Sequence, residues 1–187
     1  MYNPFLIGKK LYLRIIEPTD LNEVYEQWFN NEEVCQFNSH HRFPHYLENL
    51  KEYYEQVIKT GKNVVLAIID KKTNQHIGNI SLQDIDYIDR SADLSIIIGN
   101  KAYWKKGVGN EACKLLLHHG FSALNLHRIT CGTSVKNIGM QKLAEQLGFI
   151  KEGIFREALY KNGAYEDILK YGLLVYEYKE ENYSCVS

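Results

Sequence analysis

Apolar and polar residues change their spacing several times along this 187-residue chain, and each change marks an element. The run LYLRII at 11–16 reads as a strand. In EPTDLNEVYEQWF, which follows it, apolar residues recur at helical spacing, with Thr19 as the expected N-cap. The helical pattern returns in YLENLKEYYEQVIKTG, 46–61, and is expected to stop at Gly61. Three strand-like runs come next, at 63–70, 76–88 and 92–99. The linkers KKTNQ and DRS between them are too short for helical crossovers, so these strands should form antiparallel hairpins.

Past residue 109 the period lengthens. Ala112, Leu115, Leu116, His119, Ala123 and Leu124 line one face of a helix expected from about Asn110 to Leu124. HRITCGTSV is then a strand, IGMQKLAEQLG a helix closed by Gly148, and FIKEGIFREALYKNGAYEDILKYGLLV a long hairpin turning at Asn162 and Gly163. The tail EYKEENYSCVS is expected to be frayed or loosely docked. The order β, α, α, β, β, β, α, β, α, β, β describes a mixed α/β domain around a largely antiparallel sheet. Only the strand before Trp104 and the strand after His127 are joined through a helix, so they should form the parallel pair.

The length fits one domain, 1–187, with its core at about 8–177. A composition of 45% hydrophobic and 24% charged residues is that of a soluble globular protein. A net charge of -1 argues against nucleic-acid or anionic-membrane partners, which need broad basic patches. No run approaches membrane-spanning length and the N-terminus lacks a secretory apolar core, so a cytoplasmic location is expected. Cys35, Cys113, Cys131 and Cys185 show neither zinc nor disulfide spacing, and no metal-ligand set is read elsewhere.

The junction YWKKGVGNEA carries the chemistry. A strand, a glycine loop and a helix start together make an anion site: unpaired N–H groups point outward, the helix dipole adds partial positive charge, and Gly107 and Gly109 leave room for a phosphate. Lys105 and Lys106 add charge, and no Asp or Glu stands between Glu111 and Glu145. A plain tight turn would use the same glycines. GVGNEA also matches the dinucleotide fingerprint, but the acidic residue which that fingerprint needs about twenty positions on is missing.

These residues resemble the GNAT acyl-CoA N-acetyltransferases over roughly residues 8–177. Trp104-Lys105-Lys106-Gly107-Val108-Gly109 aligns with that family's phosphate loop. Trp104 stands at its usually polar first position, as in the branch that acetylates ribosomal-protein N-termini, diamines and similar amines. LNLHRI, NIGMQKLAEQLGFIKEG and REALYKNGAYEDILKYGLL are similar to its later elements. The resemblance implies acetyl-CoA as cosubstrate, its pantetheine arm inserted beside Ile97 and Ile98. Its pyrophosphate would lie on the N–H groups from Lys105 to Asn110 (Lys105, Lys106, Gly107, Val108, Gly109, Asn110), with Lys142 nearby and Asn137 bonding the arm. Asn137 precedes a helix and could equally cap it.

Transfer to an amine needs a base, because alkylammonium groups titrate near 10. The resemblance points to Asp93, which shares a strand face with Ser95 and Ile97. Met140 and Ala144 stand where some relatives carry a Ser and a Tyr donor, leaving Tyr160, Tyr103 or water to protonate the thiolate. The acceptor, a small-molecule primary amine or a peptide N-terminus, should meet Glu33, Asn38, Tyr87 and Tyr165. His40 and His41 read as loop residues. Members of the resembled family often form homodimers, but the oligomeric state is not readable from this sequence. A catalytically silent acyl-CoA-binding sensor or scaffold of the same fold is the alternative.

Overall fold

Leu11, Tyr12 and Leu13 are all fully buried, although alternate residues of a strand point to opposite faces. The computed structural model shows why: this strand lies in a sheet covered by helices on both sides. The structure describes residues 1–58 and 62–179. The expected helix stop at Gly61, Cys185 and the end of the tail lie outside them.

The strands are β1 (Leu6–Ile7), β2 (Leu11–Ile15), β3 (Val64–Asp70), β4 (His76–Asp86), β5 (Ser91–Ile97), β6 (Arg128–Ser134), β7 (Ile150–Lys161) and β8 (Ala164–Leu174). They form one sheet in the order β1-β2-β3-β4-β5-β6-β8-β7. Every pairing is antiparallel except β5 with β6, the pair that a helical connection forces to run the same way. β1 is too short to show a period and has no counterpart in the sequence reading.

The helices are α1 (Glu23–Phe29), α2 (Leu47–Tyr53), α3 (Val108–His118) and α4 (Ile138–Gln146). α2 and α3 each run on into one wider turn, Tyr54–Ile58 and His119–Ala123. Ala112, Leu115 and Leu116 of α3 and Ala144 of α4 pack on Leu13, Leu82, Leu94, Ile129 and Leu173 of the sheet. On the other face Tyr25, Trp28 and Phe29 of α1 and Leu50 of α2 cover Tyr12, Ala67 and Ile69.

Two helix starts differ from those read in the sequence. Asn22, not Thr19, caps α1, its Oδ1 accepting the N–H groups of Val24 at 3.1 Å and Tyr25 at 3.2 Å. Arg14 is the reason: its guanidinium grips both oxygens of Asp20 at 2.6 and 2.7 Å, holding Pro18–Asp20 in a separate turn so that the helix begins after it. α3 starts at Val108 rather than about Asn110, because Gly107 takes the cap position with φ +79°. In the last hairpin Asn162 and Gly163 have φ of 50° and 79°, the two positive values of a type I′ turn.

Candidate active site

The parallel ladder between β5 and β6 lasts only three pairs, Ser91 with Arg128, Ala92 with Ile129 and Asp93 with Thr130. Beyond Asp93 each strand follows its antiparallel neighbour, β5 staying with β4 as far as Ile97 opposite Asn79, and β6 staying with β8 as far as Ser134 opposite Ile168. The strands therefore splay. A cleft of about 660 Å³ fills the wedge, walled by Leu94 to Ile98 on one side and by Gly132 and Thr133 on the other. Val108 and Gly109 of α3 and Met140 and Leu143 of α4 close one end, and the loop from Glu33 to Asn38 reaches the other. The β5 edge facing the wedge thus carries backbone groups that β6 does not pair.

At the α3 end Gly107 is left-handed, and a Cβ placed there would meet nothing within 4 Å, so conformation rather than space demands the glycine. The first N–H groups of α3, at Val108, Gly109 and Asn110, have no partner inside the helix and carry the positive end of its dipole. Gly109 faces Leu143 and Ile96, whose atoms would lie 3.7 and 3.8 Å from an added Cβ. The indole Nε1 of Trp104 donates to the carbonyl of Ile98 at 2.7 Å, tying this loop to the end of β5. Asn137 lines the cleft while its Oδ1 caps α4 through the N–H of Met140 at 3.0 Å. This cradle fits a diphosphate at its helix end and an extended arm along β5.

At the other end Glu33 and Asn38 line the cleft. Glu33 is held by the ammonium of Lys101 at 2.7 Å. The hairpin anchors the loop: Nζ of Lys161, 5% exposed, donates to the carbonyls of His40 at 2.7 Å and Asn38 at 3.3 Å, and Arg42 donates to the carbonyl of Tyr160 at 3.0 Å. His40 packs on Phe29 and His45, with ring centroids 4.9 and 5.6 Å away. Burial above all, with His45 and Lys161 adding to it, pushes its pKa down to about 4. It is a packed loop residue, as read.

Comparison with known proteins agrees with this geometry. Residues 10–150 match the family model described as an acetyltransferase (GNAT) domain. The chain belongs to the GNAT family. The probable N-acetyltransferase YjcK of Bacillus subtilis is 30% identical over 171 residues, which cover 87% of this chain and 92% of that one. YdaF of the same organism, named provisionally as a ribosomal N-acetyltransferase, is 35% identical over 104 residues, 56% of each chain. The spermidine N-acetyltransferase of Vibrio cholerae, solved with CoA and spermine, superposes with a TM-score of 0.83 at 29% identity, covering 90% of this chain and 98% of that one. The protein is thus a GNAT N-acetyltransferase.

Within this GNAT fold, Ile97, Ile98, Lys105, Gly107, Val108, Gly109, Asn137, Glu33 and Asn38 come together around the cleft. Lys106, Asn110, Lys142, Asp93, Tyr87, Tyr160 and Tyr165 are not in its wall. Lys106 lies over the Tyr103 ring at 5.6 Å. Tyr87 is exposed in the turn between β4 and β5, and Tyr160 and Tyr165 face each other across the last hairpin at 5.0 Å. Of the donors read for the thiolate, Tyr103 lines the cleft, but its hydroxyl donates to Asp70 at 3.1 Å.

Asp93 sits at the last parallel pair, just below the wall residues Leu94 and Ser95. Its Oδ2 accepts from Thr130 Oγ1 at 2.8 Å and lies 3.9 Å from Nζ of Lys170. Burial raises its pKa, and the Thr130 hydrogen bond and Lys170 oppose that without overcoming it. The sequence reading did not assign Gln36, Phe37, Gly132, Thr133 or Leu143 to the site. Gly132, a glycine inside a strand pattern, was the readable signal, since such a residue marks a close approach.

Proposed function

We propose that this enzyme transfers the acetyl group of acetyl-CoA directly to a primary amine that reaches the cleft from the Glu33–Asn38 side. The carrying observation is the continuity of the wedge: it starts at the left-handed Gly107 and the N-terminus of α3 and runs along the unpaired edge of β5 to a loop with room for an acceptor. The thioester supplies the electrophilic acetyl group. The α3 amides and Lys105 bind the diphosphate, the β5 edge and the Asn137 amide hold the arm, and a main-chain N–H near Ile97 polarises the carbonyl.

Asp93 takes the amine proton by relay through solvent, since it lies outside the cleft wall. Burial raises its pKa, which strengthens it as a proton acceptor. The departing thiolate, with a pKa near 8.5, takes its proton from solvent, since the Tyr103 hydroxyl is engaged and Tyr160 lies on the hairpin. The amine nitrogen bonds to the thioester carbon, the C–S bond breaks as that tetrahedral adduct collapses, and no acyl-enzyme is required.

The acceptor class is a small-molecule amine or a peptide N-terminus. Spermidine acetyltransferases among the relatives support a polyamine, and the cleft sets the condition for one: among its described lining residues the carboxylate is Glu33, which a polyamine would have to share with Lys101. The test is thiol release from acetyl-CoA over a panel of polyamines, amino sugars and short peptides. Turnover with a member of the panel is expected. CoA-dependent thermal stabilisation without any turnover would instead mark a silent acyl-CoA binder.

A further inference from the structure

Gly132 lines the cleft on β6, and the space its missing side chain would take is not empty. An added Cβ would lie 3.2 Å from Nζ and 3.3 Å from Cδ of Lys170, which reaches across from the paired position on β8. The same ammonium lies 3.9 Å from Oδ2 of Asp93 and 5.5 Å from the centre of the Phe155 ring. Glycine at 132 therefore lets a cation lie at the point where the two strands part, beside a carboxylate whose hydrogen-bond partner among the described residues is the Thr130 hydroxyl.

We infer that Lys170 is a positioning residue of the acetyl-transfer site: laid across Gly132, its ammonium holds the Asp93 carboxylate at the splay of β5 and β6 and keeps it ionised. This rests on Asp93 being the base. The charges around that carboxylate are few. Asp84 of β4 disfavours its ionised form, the Cys131 thiol of β6 is held neutral by burial first and by Asp93 second, and Lys170 of β8 is the cation that favours it. The position facing Asp93 on β4 is the uncharged Gln83, and from β7 the uncharged Phe155 ring lies against the Lys170 ammonium. Asp93 and Lys170 side chains are 33% and 34% exposed, so water screens the pair without removing it.

The test reads the carboxylate itself. Carbon-13 NMR titration of aspartate carboxyls, with D93N supplying the assignment, is run on wild type, K170Q and K170R without any ligand. The Asp93 midpoint is expected to move up in K170Q and to return towards wild type in K170R. With an active amine, the acidic limb of kcat/KM should move with it, and on that limb K170Q should fall by about two- to fivefold, chiefly in kcat. An unmoved Asp93 midpoint in folded K170Q, or one raised equally in K170R, overturns the inference. If D93N instead keeps full kcat/KM while K170Q still moves the midpoint, the electrostatic coupling stands and the assignment of Asp93 as base fails. Should K170Q not fold, K170M carries the same comparison.

Discussion

Replacing Trp104 by Phe tests whether the phosphate loop and the arm-binding strand act as one unit. The substitution keeps an aromatic ring but removes the indole N–H, which donates to the carbonyl of Ile98 at 2.7 Å. A polar group left without a partner costs about 1–3 kcal/mol, and because this carbonyl borders an open cleft that water can enter, the lower part of that range applies, about 1–2 kcal/mol. If the bond fixes the loop for binding, most of this cost falls on the complex with CoA, whose Kd should rise about 5- to 30-fold. Global stability should change little, with Tm falling by about 2–4 °C for each kcal/mol that reaches the free protein. Calorimetric titration with CoA, paired with melting of the free protein, separates the two. A folded W104F variant that binds CoA within twofold of wild type would refute the reasoning.

The remaining tests address the loop, the core and the acceptor side. Gly107→Ala should destabilise by about 1–2 kcal/mol and weaken CoA binding, because the left-handed φ of +79° and not crowding makes the position special; melting and titration check both. Asp20→Asn should cost about 3–5 kcal/mol in urea denaturation, since it leaves the buried Arg14 guanidinium without its counter-charge. Wild-type stability should also fall in acid through His40. Its folded pKa of about 4 lies below the unfolded value near 6.5, so its contribution is complete above that value and is lost as pH drops towards 4. The loss is on the order of 2 kcal/mol by pH 4.5, and His40→Phe, which keeps the stacking on Phe29, should flatten that part of the urea-midpoint profile.

Local chemistry was legible wherever a residue's role depends on its sequence neighbours. The Asn162–Gly163 turn, the capping by Asn137 and the glycine loop before α3 follow from backbone preferences that act over a few residues. The antiparallel run from β3 to β5 and the single parallel pair follow from linker lengths. The α1 cap was misplaced because the competition between Thr19 and Asn22 is settled by Arg14, a residue on the preceding strand that the helix pattern does not include.

By itself, then, the sequence determined the element order, the direction of the strands and the position of the glycine loop, because period, turn chemistry and connection length are properties of short segments. Tertiary structure alone decided which side chains share the cleft. Tyr160 and Tyr165 pack against each other away from the wedge, whereas Lys170 was carried across Gly132 to Asp93, 77 positions earlier in the chain. Strand register between β5, β6 and β8 fixes those neighbours, and register depends on the two helix-covered faces of the sheet together, which no window of neighbouring residues contains.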